Sequence, residues 1–303
     1  MKRNFVSEID FSREEILETL ALAKELKELQ HDRAAPQPLR GKSVGLIFHK
    51  PSLRTRISFE VGISQLGGSP IYITQQEIEL GKRETIHDAA KVLSRYLGMI
   101  MIRTFNHEDV VQLAKHADVP VINGLTDLLH PCQVMSDIFT VQEKLGRPED
   151  FKIVWLGDGN NVANSWLNLA SLLSIQLVVA TSPETLPDAK ILKKAQAAGR
   201  SEISIEHDPL KAARGAHVLY TDVWASMGQK DKFEEQKRRL EKFQINSALL
   251  SRADKGAIVM HCLPAERGRE ITDEVMDGPQ SVVFDQAENR LHVQKAIMTK
   301  LLE

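Results

Sequence analysis

The residues best suited to chemistry lie within one short stretch, Ser52-Leu53-Arg54-Thr55-Arg56. They follow an apolar run, Val44 to Phe48, with the pattern of a buried parallel strand, and lead into a helical spacing that stops at Gly67-Gly68. Strand, short loop and helix together make an anion site. Ser52 stands where an N-cap belongs, so its hydroxyl, the first backbone N–H groups and the positive end of the helix dipole face the same way. Arg54, Thr55 and Arg56 add forked guanidinium donors and a hydroxyl in the same turn, which suits the oxygens of a phosphate. The same residues also fit an ordinary capped helix with two solvated arginines, so the rest of the chain has to decide.

The other polar candidates repeat one placement. Arg103 closes the apolar run Met99 to Ile102, and His130 and Gln133 come just after a fourth run; Asp158 to Asn161 follow Ile153 to Leu156, Asp222 follows Val218 to Tyr220, and His261-Cys262 ends Ile258 to Met260. Each lies at the carboxyl end of a predicted strand. Ligands of doubly wound sheets bind outside those ends, so two such domains facing each other would gather all these groups around one cleft. Three lookalikes fall away. Gly157-Asp158-Gly159 has Val162 at the third glycine position of a dinucleotide fingerprint, and Gly41-Lys42-Ser43 precedes its strand, unlike a phosphate loop. His130-Pro131-Cys132 with His261-Cys262 matches no structural zinc spacing, so no metal is expected.

The elements that must position these residues alternate. A helix is predicted from about Ser12 to Gln30, with Ser12 and Glu15 as its capping box and Ile16, Leu20, Ala23 and Leu26 on one face. First-half strands are predicted at Val44 to Phe48, Ile71 to Ile73, Met99 to Ile102 and Val119 to Ile122, with helices at Thr85 to Leu97, Glu108 to His116 and Pro131 to Leu145. Gly146 to Asp150 reads as a domain junction. Second-half strands are predicted at Ile153 to Leu156, Gln176 to Ala180, Ile203 to Glu206, His217 to Tyr220, Ala257 to His261 and Ser281 to Phe284. The expected fold is α/β with two doubly wound parallel-sheet domains, residues 1–145 and 151–284, and a last helix within 285–303. The basic cluster Lys230 to Lys242 reads as a solvated helix face.

Composition bounds the function classes. A chain of 303 residues, 42% hydrophobic and 26% charged, has room for two cores, and a net charge of −2 argues against nucleic acid or an anionic membrane as partner. Two cysteines argue against a disulfide framework, and no apolar window has the length of a signal core or membrane span, so a cytoplasmic protein is expected.

Taken together, Ser52-Leu53-Arg54-Thr55-Arg56, His130-Pro131-Cys132-Gln133, Asp222-Val223-Trp224-Ala225-Ser226-Met227-Gly228 and His261-Cys262-Leu263-Pro264 resemble the aspartate/ornithine carbamoyltransferase superfamily, and within it the ornithine branch. The resemblance implies a carbamoyl-phosphate domain followed by an amino-acid domain, a last helix that returns to the first, no cofactor, and a homotrimer. The expected reaction carries the carbamoyl group of carbamoyl phosphate to the δ-amine of L-ornithine, within arginine metabolism. Phosphate is the leaving group there, so charge grows on it and preorganised donors such as Ser52, Arg54, Thr55 and Arg103 stabilise the transition state.

By the same resemblance His130 and Thr55 polarise the carbonyl and Gln133 accepts from the carbamoyl amide. Leu53, Pro131 and Cys132 come with those motifs as contacts, Leu263 offers its carbonyl, and Arg290 reaches the carbamoyl phosphate. Asp222 and Ser226 are expected on the ornithine α-amino group, Asn161 on its carboxylate, the Met227 backbone as a loop over it, hinged at Gly228, and Cys262 near the reacting amine. Arg103, His130, Asp222 and Cys262 form the expected catalytic set. Arg56 is expected to brace its loop by ion pairing. One position departs: Glu79 stands where the family usually has glutamine, and a carboxylate there repels a phosphate unless it is protonated or paired with Lys82 or Arg83. Independently of family, the acidic Asp222 loop disfavours a dicarboxylate acceptor. The rival reading is a sister carbamoyltransferase acting on another amine, such as putrescine or an N-acylated ornithine.

Overall fold

A computed structural model describes residues 2–32, 35–81, 83–224 and 233–303. The chain forms two compact units, Met1–Phe139 with Glu288–Glu303, and Thr140–Ala287. Elements are numbered in chain order.

The first unit is built on four parallel strands, β1 (Ser43–Phe48), β2 (Ser69–Thr74), β3 (Met99–Arg103) and β4 (Val121–Leu125), in the order β2-β1-β3-β4. Between them run α1 (Arg13–Glu28), α2 (Leu53–Gln65), the short α3 (Gln75–Ile78), α4 (Ile86–Tyr96) and α5 (His107–His116), and α6 (Pro131–Leu145) follows β4. β1 and β3 read as nearly continuous apolar runs because both of their faces are covered: Leu46, Ile47, Ile100 and Ile102 are fully buried. The register sets Phe48 opposite Arg103, so the last residues of two neighbouring strands stand side by side. α1 starts at the expected capping box, with Ser12 Oγ accepting from Glu15 N and Glu15 Oε2 accepting from Ser12 N.

β4 differs from the expected Val119 to Ile122. It begins after Pro120 and runs through Asn123-Gly124 to Leu125. The glycine is there for contact, since a Cβ at Gly124 would sit 2.4 Å from Met101 Sδ on the neighbouring strand.

The second unit holds five parallel strands, β5 (Lys152–Leu156), β6 (Gln176–Ala180), β7 (Glu202–Glu206), β8 (Val218–Thr221) and β9 (Ile258–His261), in the order β7-β6-β5-β8-β9. Its helices are α7 (Asn161–Ala170), α8 (Ala189–Ala198), α9 (Pro209–Ala212), α10 (Phe233–Leu240), α11 (Ser247–Leu250) and α12 (Asp273–Met276). The strand expected at Ser281 to Phe284 is reduced to one bridge, Ser281 with Val259, and Val283 already opens α13 (Val283–Lys300). Its β-branched residues are buried, and packing rather than propensity sets their conformation.

From Glu288 onward α13 belongs to the first unit. Lys295 Nζ donates to Leu26 O (3.1 Å) and Gln65 Oε1 (2.9 Å), Lys27 Nζ to Asn289 Oδ1 (2.8 Å), and Lys300 pairs with Glu18 (3.0 Å), which docks the helix on α1 and α2. No described helix is long and apolar enough to cross a membrane.

Candidate active site

In the first unit, strand order reverses between β1 and β3, and the chemistry gathers at the carboxyl ends of those two strands. Ser52 is the N-cap of α2: its backbone is extended, and its Oγ accepts from Thr55 N (3.3 Å) and donates to Thr55 Oγ1 (3.1 Å). Arg103, at the end of β3, donates from Nε to Lys50 O (3.2 Å) and from Nη1 to Thr55 Oγ1 (3.2 Å). Arg290, on α13, donates from Nη2 to the same oxygen at 2.8 Å. Thr55 is fully buried, and its hydroxyl thus collects two guanidinium groups and a serine hydroxyl at a helix N-terminus. One hydroxyl oxygen has two lone pairs, fewer than the donors aimed at it. Such a convergence is the coordination an anion with several oxygens can satisfy.

The neighbours agree. Arg54 Nε and Gln133 Oε1 are buried with no hydrogen-bond partner among the described residues, and a buried polar atom in that state calls for a ligand or water. Gln133 is otherwise anchored, its Nε2 donating to Asp137 Oδ1 (2.9 Å). His130 is buried, and burial, followed by the positive fields of Arg290, Arg103 and Lys50, pushes its imidazole well below the usual histidine range. It is therefore neutral at pH 7, able to donate one N–H without adding charge. Lys50 is a further cation; its Nζ lies 3.2 Å from Asp127 and 5.4 Å from the Phe105 ring centroid.

Four first-unit candidates stand apart from this cluster. Leu53 is 74% exposed, so its side chain contributes nothing to the buried cluster. Pro131 is the first residue of α6, where its missing N–H costs nothing. Cys132 is fully buried, its Sγ turned to Asn123 O (3.4 Å) and its thiol pushed up to about 12 chiefly by burial. Glu79 is exposed and caps α3 at φ 36°, and no contact among the described residues joins it to Thr55. Lys82, one of the two cations considered as its partner, lies outside the described residues. Arg56 forms an ion pair, but with Glu60 one turn on in α2 (2.9 Å) and not with the loop it was expected to brace, and it stacks 4.0 Å from the Tyr72 ring centroid.

In the second unit the order reverses between β5 and β8, and the loops after these strands carry the acids. Asp222 follows β8. Its Oδ2 accepts from Asn160 Nδ2 (2.8 Å), and its Oδ1 from Val223 N (2.8 Å) and Cys262 Sγ (2.9 Å). Asn160 is the N-cap of α7, its Oδ1 accepting from Val162 and Ala163, so one side chain ties the helix start to Asp222; Asn161 is the first helical residue beside it. Asp158 follows β5. Burial, then the charge of Asp222, lifts its carboxyl to about 6, against one backbone hydrogen bond from Gly159.

Behind Cys262, His261 Nδ1 accepts from Leu263 N (2.8 Å), which fixes the proton on Nε2, 3.0 Å from Glu270 Oε1. Leu263 sits at φ 59° before a cis peptide to Pro264. Ligand atoms of Asp222, His261 and Cys262 lie within 4.8 Å of one another, yet both imidazole nitrogens are engaged by the protein, so this trio is held by its own hydrogen bonds. Ser226, Met227 and Gly228 lie outside the described residues.

Sequence reasoning passed over Asp158 as a carboxylate, Asn160, Lys50 and Glu270. The first two stand in the loop after β5 that had been singled out, and Lys50 two residues before the N-cap. Glu270 carries no local signal, since only the fold brings it to His261.

Comparison with known proteins matches the chain in two successive stretches. The carbamoyl-P binding domain model of the aspartate/ornithine carbamoyltransferases matches residues 3–143, and the family's Asp/Orn binding domain model matches residues 149–301. An ornithine carbamoyltransferase of Syntrophus aciditrophicus is 51% identical over 302 residues, covering 100% of both chains. One of Thermococcus kodakarensis is 52% identical over 297 residues, covering 97% of this chain and 94% of that one. The solved ornithine carbamoyltransferase of Pyrococcus furiosus superposes with a TM-score of 0.93 at 47% identity, over 98% of this chain and 96% of that one.

Proposed function

The chain belongs to the aspartate/ornithine carbamoyltransferase family, and from that membership we infer that it transfers the carbamoyl group of carbamoyl phosphate to the δ-amine of L-ornithine, giving L-citrulline and phosphate. The observation that carries the reading is the convergence of Arg103 and Arg290 on Thr55 Oγ1 at the start of α2. Two guanidinium groups, the Ser52 hydroxyl and a helix N-terminus meet the growing charge of a departing phosphate without reorganising, which is the largest contribution a protein makes to this kind of transfer. Neutral His130 and Thr55 donate to the carbonyl oxygen as nitrogen adds, and Gln133 Oε1 accepts from the carbamoyl NH2.

On the acceptor side, Asp222 holds the α-ammonium and Asn161 the carboxylate. Cys262 and the Leu263 carbonyl stand by the δ-amine. Between the two acceptors the family name allows, the second unit favours ornithine: Asp158 and Asp222 present negative charge, which attracts a diamine and repels a dicarboxylate. The δ-amine attacks only when neutral, with a reference pKa of about 10.4 for such an amine.

The protein assembles as a homotrimer in this reading. What supports self-association is an apolar stripe on α2: Leu53, Ile57 and Val61 are exposed at 74%, 47% and 39%, four residues apart on one face. The threefold number comes from the family resemblance alone. A reducing cytoplasm suits a chain whose two cysteines serve as buried core and as a donor to Asp222 rather than as a bridge.

The test is an assay for ureido product with L-ornithine, putrescine, N-acetylornithine and L-aspartate, each with carbamoyl phosphate. Citrulline from ornithine with negligible product from the others is expected. Product from another amine and none from ornithine overturns the reading.

A further inference from the structure

Asp158 and Asp222 end neighbouring strands: Leu156 is the register partner of Thr221, and Thr221 Oγ1 donates to Leu156 O (2.6 Å). The loop between Leu156 and α7 is fixed in place. Trp155 Nε1 donates to Asp158 O (2.8 Å), Gly159 N donates to Thr185 O (2.8 Å), and a Cβ on Gly159 would meet Pro187 N at 2.2 Å. Asn160 then joins that loop to Asp222.

The two carboxylates are served unequally. Asp222 is met by an amide, a backbone N–H and a thiol. Asp158 receives the N–H of its neighbour Gly159 and no side-chain donor among the described residues. Two adjacent acids with one supplied pair of oxygens and one unsupplied pair make a place for a single cation carrying several N–H groups.

We propose that Asp158 is a second acidic contact for the α-ammonium of the acceptor amino acid, shared with Asp222. This rests on the reading above, in which the second unit takes the acceptor. Before the acceptor binds, a proton takes the cation's place on Asp158 in mildly acidic solution, since its carboxyl is lifted to about 6. Among the described residues the titratable group whose charge reaches it is Asp222 after β8, which is itself bonded to the Cys262 thiol.

The experiment measures ornithine and carbamoyl phosphate kinetics for the wild type and Asp158→Asn between pH 5 and 8, with L-norvaline as inhibitor. Norvaline keeps the α-ammonium and carboxylate but has no δ-amine, so its pH dependence reports the α-ammonium site alone. Asp158→Asn is expected to raise the KM for ornithine at least tenfold, leave that for carbamoyl phosphate within twofold, and abolish the acid limb. In the wild type, norvaline inhibition is expected to weaken as pH falls through about 6, by up to about tenfold per unit. The wild-type measurement stands even if the variant fails to fold. Norvaline inhibition flat from pH 5 to 7.5, or a folded variant with unchanged ornithine KM, overturns the assignment while citrulline formation persists. Absence of citrulline formation by the wild type overturns the reaction itself.

Discussion

Replacing Thr55 by valine tests the phosphate pocket where it is most concentrated. Valine keeps the shape of the fully buried side chain but removes the oxygen that accepts from Arg103 Nη1 at 3.2 Å, Arg290 Nη2 at 2.8 Å and Ser52 Oγ at 3.1 Å. A hydrogen bond to a charged group is worth about 1.5–3 kcal/mol. If one such bond is lost in the transition state, kcat/KM for carbamoyl phosphate falls by about 10- to 150-fold, at about 1.4 kcal/mol per decade. Two guanidinium groups also lose their shared anchor, so the larger figure is the better expectation, and the KM for ornithine should stay put. Serine at the same position keeps the hydroxyl and loses one methyl, a cost of about 1 kcal/mol in stability with little loss of rate. The assay is citrulline formation with carbamoyl phosphate varied at saturating ornithine, beside thermal unfolding of each variant. A valine variant within twofold of the wild type in kcat/KM for carbamoyl phosphate would refute the idea that this oxygen organises the pocket.

Other outcomes follow from single contacts. Cys262→Ala removes the donor 2.9 Å from Asp222 Oδ1 and should raise the KM for ornithine by about 3- to 10-fold, the worth of one modest hydrogen bond, while that for carbamoyl phosphate holds; steady-state kinetics decides. Glu79 stands clear of the Thr55 cluster, so Glu79→Gln should leave the KM for carbamoyl phosphate within twofold; a several-fold drop would instead mean that the carboxylate repels the phosphate. Acid should destabilise the fold. His292 is pushed down to about 3, by burial and then by Lys295 and Lys27, and His130 shifts the same way. Between that value and the unfolded pKa of about 6.5 only the unfolded chain binds the proton, so stability is full above pH 6.5 and drops below it. His292 alone accounts for about 2 kcal/mol at pH 5, to be read from urea midpoints at pH 7 and 5. Finally, kcat/KM for ornithine should rise through the alkaline range as the neutral amine accumulates, and a level profile from pH 6 to 9 would contradict the nucleophile assigned here.

How much of this was legible in the sequence depends on how local the cause is. The α2 pocket could be read because a strand, an N-cap and a first turn are contiguous, so Ser52, Arg54 and Thr55 announce their own geometry. Arg103 and Asp222 were legible as the residues that end apolar runs. Arg290 was not: it lies 235 positions from Thr55, and only the docking of α13 on the first unit brings it there, so resemblance supplied what pattern could not. β4 was misplaced because Asn123-Gly124 looks like a turn, whereas its glycine makes room for Met101. Val282-Val283-Phe284 looks like a strand and mostly opens a helix, because its burial is decided by distant elements. Asp158 was visible as a strand-end residue, but its carboxylate gains meaning only once β8 is known to lie beside β5.

The contrast between the two cysteines has a practical use. Cys132 is sealed in the core with its thiol held protonated far beyond neutral pH, while Cys262 is half-buried at the acceptor loops. An alkylating dye therefore has one sulfur to find in the native protein, next to Asp222, with no engineering of the chain. A fluorophore or fluorinated tag placed there would report on acceptor arrival directly, and protection of that sulfur by ornithine would give a footprint without any turnover.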